Sequence, residues 1–367
     1  MPDGPKILHL LPLGHTWETV VHVVRLAAAL ATLGLPQALA GPADSRVGEL
    51  ANGAGLNFLP LAPARAASPL GWLELARRIR SFRPDLAHAH GPEAALSLSR
   101  AAWLGGRVRV ASTRYRLAGP SASADCGRGV AAAVCPSAAA AEWLAKRGAD
   151  RKKLAIIPAG ADCAAATEAG ARRDSLRAKL RDEHCPAKEK PLFMVNIAAL
   201  TEESGQAEII EAAGEAVSRL PQLHLFIMGD GNLEEELSRQ SRIMAMAGEI
   251  TFLAPDPAAV PGLLAAADLY VSASRGDAAG LMARAALASG RAAVLSDAGC
   301  HPELADGGRT ALLAKPDAGG LTTAVRELLE DRNRRERLGR QAGEQAARNF
   351  SLAGQAEKLA ELYRSLV

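Results

Sequence analysis

A chain of 367 residues is too long for one ordinary hydrophobic core, so two domains are expected. Hydrophobic residues make up 49% and charged residues 23%, the balance of a soluble globular protein, whereas 4% aromatics are too few for a nucleic-acid stacking surface or a carbohydrate-binding aromatic platform. The net charge of +3 comes without a polybasic run, which argues against nucleic-acid binding. From Lys6, "KILHLLPL" is short, apolar and free of a cleavage-site pattern, and it predicts a first β-strand and not a signal peptide. The loop "PLGHTWE" follows, leading into the helical pattern "WETVVHVVRLAAALATLG". Gly14 either lets backbone N–H groups approach a phosphate at the helix N-terminus or simply makes the turn. Glu18 is an acid in a first helical turn, where the helix dipole favours one.

Further short apolar runs end at Gly, Pro or Ser: "LPQALAG", "GLNFLPLA", "DLAHAHG", "RVRVAST", "VAAAVCPS" and "KLAIIPAG". Helical patterns such as "SPLGWLELARRIRSF" and "AAAAEWLAKRG" lie between them. Alternation at this pitch implies a parallel sheet covered on both faces. His88 and His90 share one face at strand spacing, read as strand-end or core histidines, because no third metal ligand with suitable spacing accompanies them. The run "AAATEAGARRDSLRAKLRDEHCPAKEK" breaks the rhythm with dense charge and is read as the interdomain region.

A second series starts at "PLFMVNIAAL" and continues through "LHLFIMGDG", "EITFLAP", "ADLYVSAS", "RAAVLSDAG" and "TALLAKP" before a run of consecutive helices. The expected organisation is a first α/β domain over 1–165, a charged segment over 166–190, a second α/β domain over 191–348, and a final helix over 349–367 that returns to the first domain. Ligands of such doubly wound sheets sit beyond the carboxyl ends of the strands. Gly229 and Gly231 of "GDG" either touch a nucleotide or permit a tight turn. The five cysteines are scattered without a C-x-x-C pair, which argues for reduced thiols and against a disulfide framework or a zinc site. No apolar stretch approaches the ~20 residues that span a bilayer.

The order of "RPDLAHAHG", "VCPSAAAAEWLAKRGADRKKLAIIPAGAD", "LHLFIMGDGNLEEEL", "EITFLAP", "LLAAADLYVSAS", "GCHPELADGGRTALLAKPD" and "FSLAGQAEKLAELY" resembles family 4 of the retaining, nucleotide-sugar-dependent glycosyltransferases over nearly the whole chain. The resemblance implies the GT-B fold: two doubly wound, Rossmann-like α/β domains facing one another across a cleft. It also implies transfer of a sugar from a nucleotide-diphosphate donor, with no separate cofactor and no metal. Carried onto this sequence, the family's sugar-binding acid falls on Asp277, the candidate catalytic residue. The second acid, eight positions on, is Ala285. Gly14, Gly229, Gly231, Gly280 and Glu303 fall on the donor side, and Glu18, Arg114 and Tyr115 on the acceptor side.

The sequence departs from the family where the donor diphosphate is neutralised. The family's Arg and Lys precede a glycine after the first strand of the second domain, but this stretch reads "NIAALTEESG", with Ala198 and Ala199 in the Arg region and Ser204 at the Lys position. The "IPNG" asparagine is Ala159. Replacement charge would have to come from Arg275, Arg284, Arg114 or Arg116, whose alternative is a solvated loop or helix face, above all for Arg284. Two functions stay open. One is a glycosyltransferase of impaired standard activity acting on a glycan or lipid-linked acceptor; the other is a non-catalytic pseudoglycosyltransferase that binds a glycan or nucleotide or supports an active glycosyltransferase partner. The expected location is cytoplasmic, with peripheral attachment at the inner face of a membrane as a further option.

Overall fold

The computed structural model describes residues 4–11, 14–43, 45–62, 68–118 and 123–367. The chain divides into two compact units, Met1–Ala159 with Leu352–Val367 and Gly160–Ser351. In the first, strands β1 (Ile7–Leu10), β2 (Gln37–Pro42), β3 (Asn57–Leu61), β4 (Leu86–His90), β5 (Arg109–Thr113), β6 (Val130–Cys135) and β7 (Leu154–Ile156) form one sheet in the order β3-β2-β1-β4-β5-β6-β7. Every pairing in it is parallel. The crossovers are helical: α1 (Trp17–Thr32), α2 (Arg46–Gly53), α3 (Pro69–Phe82), α4 (Pro92–Gly105), a short α5 (Ser123–Cys126) and α6 (Ala138–Lys146). Local chemistry sets their ends. At α3, Pro69 occupies the first turn, and the Ser68 hydroxyl accepts the Gly71 N–H at 3.2 Å.

Because helices cover both faces, β1 and β4 are buried along their whole lengths. Leu8, Leu10, Ala87 and Ala89 pack on one side with Leu98 of α4 and Leu75 of α3. Ile7 and Leu86 pack on the other with Leu26 and Leu30 of α1.

The second unit opens with α7 (Cys163–Ala171) and α8 (Arg173–His184). Strands β8 (Leu192–Ile197), β9 (Leu223–Met228), β10 (Ile250–Leu253), β11 (Leu269–Ser272), β12 (Ala292–Ser296) and β13 (Leu312–Ala314) follow, alternating with α9 (Gln206–Val217), α10 (Glu234–Ile243), α11 (Val260–Ala266), α12 (Leu281–Ala288) and α13 (His301–Ala305). Helices α14 (Ala318–Glu330) and α15 (Arg332–Asn349) complete the unit. Its strand order is β10-β9-β8-β11-β12-β13, again entirely parallel. Strand order reverses between β8 and β11, the switch point at which such sheets bind ligands.

The charged run read as an interdomain segment is helical and belongs to the second unit. No residue of α8 is buried, so its anchor is polar. Arg173 and Arg177 reach Asp268 at 3.0 and 2.8 Å and also donate to the carbonyls of Ala265, Ala266 and Ala267 at the end of α11. Asp268 additionally accepts the Phe193 N–H at 2.9 Å. The last helix, α16 (Leu352–Leu366), lies in the first unit, where Leu359, Ala360 and Tyr363 pack with Ile7, Leu26 and Leu30. Among the described residues, no helix is long and apolar enough to cross a membrane.

Candidate functional site

At the switch point of the second unit, the loop 198–205 leaves β8 and turns into α9 at Gly205, which has φ +72°. A Cβ there would lie 2.6 Å from Ala273 Cβ, so only glycine lets this loop rest against the end of β11. The glycines after β9 serve the same contact from the other side. A Cβ on Gly229 would stand 2.0 Å from the Ala198 carbonyl oxygen, and one on Gly231 2.3 Å from that of Leu200. In this structure both Gly229 and Gly231 seat the β8 loop.

The side chains around this loop are acidic. Glu202 and Glu203 are exposed, and Glu208 lies in the first turn of α9. Arg275 sits on the facing loop, but its guanidinium is engaged: it pairs with Glu208 and donates to the carbonyls of Pro316 at 2.6 Å and Glu202 at 3.2 Å. Arg284, expected on a solvated helix face, is buried at 3% exposure. Its Nε donates to the Ala279 carbonyl at 2.8 Å and its guanidinium lies 5.0 Å from the Phe350 ring centre. The helical periodicity of α12 does not reveal this, because the pairing is with the start of its own loop and a ring far along the chain.

Asp277 stands at the end of β11. Its Oδ1 accepts the N–H groups of Ala279 at 2.9 Å and Gly280 at 2.7 Å, and its Oδ2 lies 3.8 Å from His301 Nε2. Burial pushes this carboxyl up, but the adjacent His301 and the two N–H groups outweigh it and hold the carboxyl below its ordinary value. Gly280 has φ +60°, and a Cβ there would come within 2.9 Å of Cys300 Sγ. Glu303 is exposed in α13 and Ala285 leaves the first turns of α12 without a carboxylate. Asp277, Gly280 and Glu303 are thus gathered at the ends of β11 and β12. Cys300 and His301 lie within the "GCHPELADGGRTALLAKPD" match and Ser296 at the end of β12, but that they share this place with Asp277 emerges only from the fold.

In the first unit, Gly14 has φ +95° with open space where a Cβ would point, and Glu18 is buried in the first turn of α1. Arg114 is buried. Its Nε and Nη2 donate to Asp125 at 3.0 and 2.6 Å, another donation reaches the Ala118 carbonyl, and the guanidinium lies over Trp143.

Tyr115 belongs to a buried histidine network built on the pairing of β1 with β4, which sets His9 beside His88. Gln37 fixes its direction. The Gln37 amide donates to the Leu35 carbonyl at 2.8 Å, so its Oε1 accepts Nε2–H of His9 at 2.7 Å. His9 Nδ1 then accepts Nε2–H of His90 at 2.9 Å, and His90 Nδ1 accepts the Tyr115 hydroxyl at 3.1 Å. Thr113, bonded to Tyr115, accepts Nε2–H of His88 at 2.7 Å, which leaves His88 Nδ1 to accept the Tyr363 hydroxyl. Each of these three imidazoles is neutral, with one ring nitrogen donating and the other accepting. Burial lowers all three histidines, His9 to about 4 and His88 and His90 well below their ordinary value. The third imidazole missed by sequence spacing is therefore His9, on a different strand, yet all six ring nitrogens already have partners.

Two family models match the chain: "Glycosyltransferase Family 4" over residues 19–165 and "Glycosyl transferases group 1" over residues 179–345. The chain is 28% identical over 312 residues to the GDP-mannose-dependent alpha-(1-6)-phosphatidylinositol monomannoside mannosyltransferase of Mycolicibacterium smegmatis, an alignment covering 81% of this chain and 74% of that protein. It is 25% identical over 197 residues to the alpha-D-kanosaminyltransferase of Streptomyces kanamyceticus, covering 53% and 50%. Among solved structures, HepE of Anabaena in complex with UDP-glucose superposes with a TM-score of 0.84 at 19% identity over 98% of this chain and 100% of that one. A glycosyltransferase from Rickettsia africae ESF-5 gives 0.83 at 15% identity over 99% of both. With two parallel Rossmann-like sheets in hand and a family model on each, the chain belongs to glycosyltransferase family 4 and has the GT-B fold.

Proposed function

We propose that this family 4 protein is a glycosyltransferase in which standard transfer from a nucleotide-diphosphate sugar is impaired. The observation that carries this reading is the charge around the β8 loop. Ala198, Ala199 and Ser204 supply no cation, Glu202 and Glu203 are acidic, and Arg275 is bound to Glu208 and two carbonyls. A diphosphate leaving water needs cations or N–H donors. Truncating one partner of a buried charge pair costs about 2–5 kcal/mol. Loss of two such cations corresponds to donor binding weaker by roughly 10³-fold or more. Asp277 is committed to capping its own loop and faces an imidazole, a further reason for weak capture of the donor sugar.

The named substrates of the Mycolicibacterium relative, a GDP-sugar donor and a phosphatidylinositol mannoside, make a GDP-sugar and a lipid-linked acceptor the first candidates to try. Peripheral attachment to a membrane fits the surface of the first unit. Helices α3 and α4 pack closely, with Gly105 against Ala76 and Ile79, and they leave Leu70, Leu73, Leu96 and Trp103 exposed. Arg77, Arg80, Arg83, Arg100 and Arg107 are exposed on and beside the same helices.

Calorimetric titration of the purified chain with a panel of nucleotide-diphosphate sugars tests the proposal. Weak or undetectable binding is expected throughout. Low-micromolar binding of any donor overturns it and requires Arg275 to leave Glu208. No binding to any donor or free nucleotide, with retained binding of a glycan or of an active glycosyltransferase, would favour the non-catalytic alternative.

A further inference from the structure

We infer that Asp277, Cys300 and His301 form a zinc site at the ends of β11 and β12. One ligand atom from each, a carboxylate oxygen, the Cys300 Sγ and an imidazole nitrogen, lies within 4.8 Å of the other two. The hydrogen bonding of His301 points to the site. The Ser296 hydroxyl donates to the Ser274 carbonyl and so must accept Nδ1–H of His301, at 2.7 Å. Nε2 is therefore the ring nitrogen that faces the site. His301 is fully buried, Nε2 has no hydrogen-bond partner, and it is aimed at Asp277 Oδ2 from 3.8 Å. A carboxylate oxygen and an imidazole nitrogen facing one another in a buried place call for a cation between them, either a proton on the ring or a metal ion.

The surroundings favour the metal. A histidine whose other ring N–H is fixed by an outer partner is the usual arrangement of a metal-binding imidazole, and Ser296 provides it. Asp277 Oδ1 is used by the Ala279 and Gly280 N–H groups, which orients the carboxylate and leaves Oδ2 turned to His301. The two loops are locked to each other: Cys300 N–H donates to the Asp277 carbonyl at 2.9 Å, and Gly299, with φ +60°, lets that carbonyl sit where a Cβ would be 2.3 Å away. Zinc takes such a mixed oxygen, sulfur and nitrogen set with bonds of about 2.0–2.3 Å, so the cluster closes by about 1 Å through side-chain rotation. The site's charged neighbours are Arg284 and Glu303, one of each sign. Zinc binding forms three ligand bonds in place of water ligands of the hydrated ion, which leave to solvent together with the Cys300 thiol proton and any proton held on His301 Nε2. The fourth position opens through Asp277, the one partly exposed ligand, and takes water.

Equilibrium dialysis of the full chain against zinc chloride, followed by metal analysis, should give one zinc per chain, with binding weakening as pH falls. Cobalt(II) in place of zinc should show an intense thiolate-to-cobalt charge-transfer band. Cys300→Ser should abolish that band, and Ser296→Ala should weaken zinc binding about 10–100-fold. Circular dichroism establishes that each variant is folded, and the wild-type cobalt spectrum decides the matter where one is not. Lack of stoichiometric zinc overturns the assignment and leaves the imidazolium–Asp277 pair. A cobalt spectrum of nitrogen ligands alone also overturns it, by placing the ion at His9, His88 and His90.

Discussion

Tyr363 closes the histidine chain from α16, donating to a nitrogen that has no other partner among the described residues. Tyr363→Phe leaves His88 Nδ1 buried and unsatisfied, and should cost about 1–3 kcal/mol, read as a lower urea midpoint. The same network sets a pH dependence. His9, His88 and His90 all titrate below their ordinary value in the folded chain, so the unfolded chain binds more protons once pH drops beneath about 6.5. Their contribution is complete above that value and declines as pH falls towards about 4, by about 3 kcal/mol for His9 alone. Urea midpoints at pH 7.5 and 5 measure it; equal midpoints would show that the histidines charge freely. The sequence shows the alternation of His88 and His90, but not the ring that completes the cluster, because register between β1 and β4 is a property of pairing and not of spacing. The partners of Arg275 were hidden for the same reason, since they lie on other elements, and so was the Phe350 ring that faces Arg284.

All thirteen apolar runs named in the sequence are strands, since the inner strands of a parallel sheet covered on both faces are buried throughout, and the partly exposed β3, β7, β10 and β13 keep enough apolar residues to leave the same signature. The run around α7 and α8 leaves none. It docks through arginines on a carboxylate and on the carbonyls ending α11, and such an anchor looks like a solvated linker in any reading based on hydrophobic pattern. Asp268 is its pivot. Asp268→Ala strands Arg173, Arg177 and the Phe193 N–H together, with an expected loss of about 2–4 kcal/mol. Limited proteolysis should then cut first within 163–190. Unchanged resistance there would mean that apolar contacts of α7 hold the pair of helices without the ion pairs.

For the molecule as a whole, the exposed apolar and basic residues of α3 and α4 predict association with anionic bilayers. The wild-type chain should co-sediment with phosphatidylglycerol vesicles at low salt and be released as ionic strength rises. Leu70→Glu with Trp103→Glu should lose most of that binding while leaving the fold intact, because both side chains are exposed, Trp103 at 74%. Binding that is insensitive to both changes would move the contact elsewhere.

Helix α16 also gives the polypeptide a timetable. The first unit owns residues at both ends of the described chain, and His88 waits for Tyr363 across 275 positions. On a ribosome adding about 5–20 residues per second, the second unit emerges whole before the first can finish. During that interval the α16 face of Ile7, Leu26 and Leu30 has no cover, and the nascent first unit depends on chaperones or on speed. A chain stopped at Ser351 should keep a folded second unit and deliver the first as a sticky, protease-sensitive fragment, a difference that pulse proteolysis of the truncated chain reads directly.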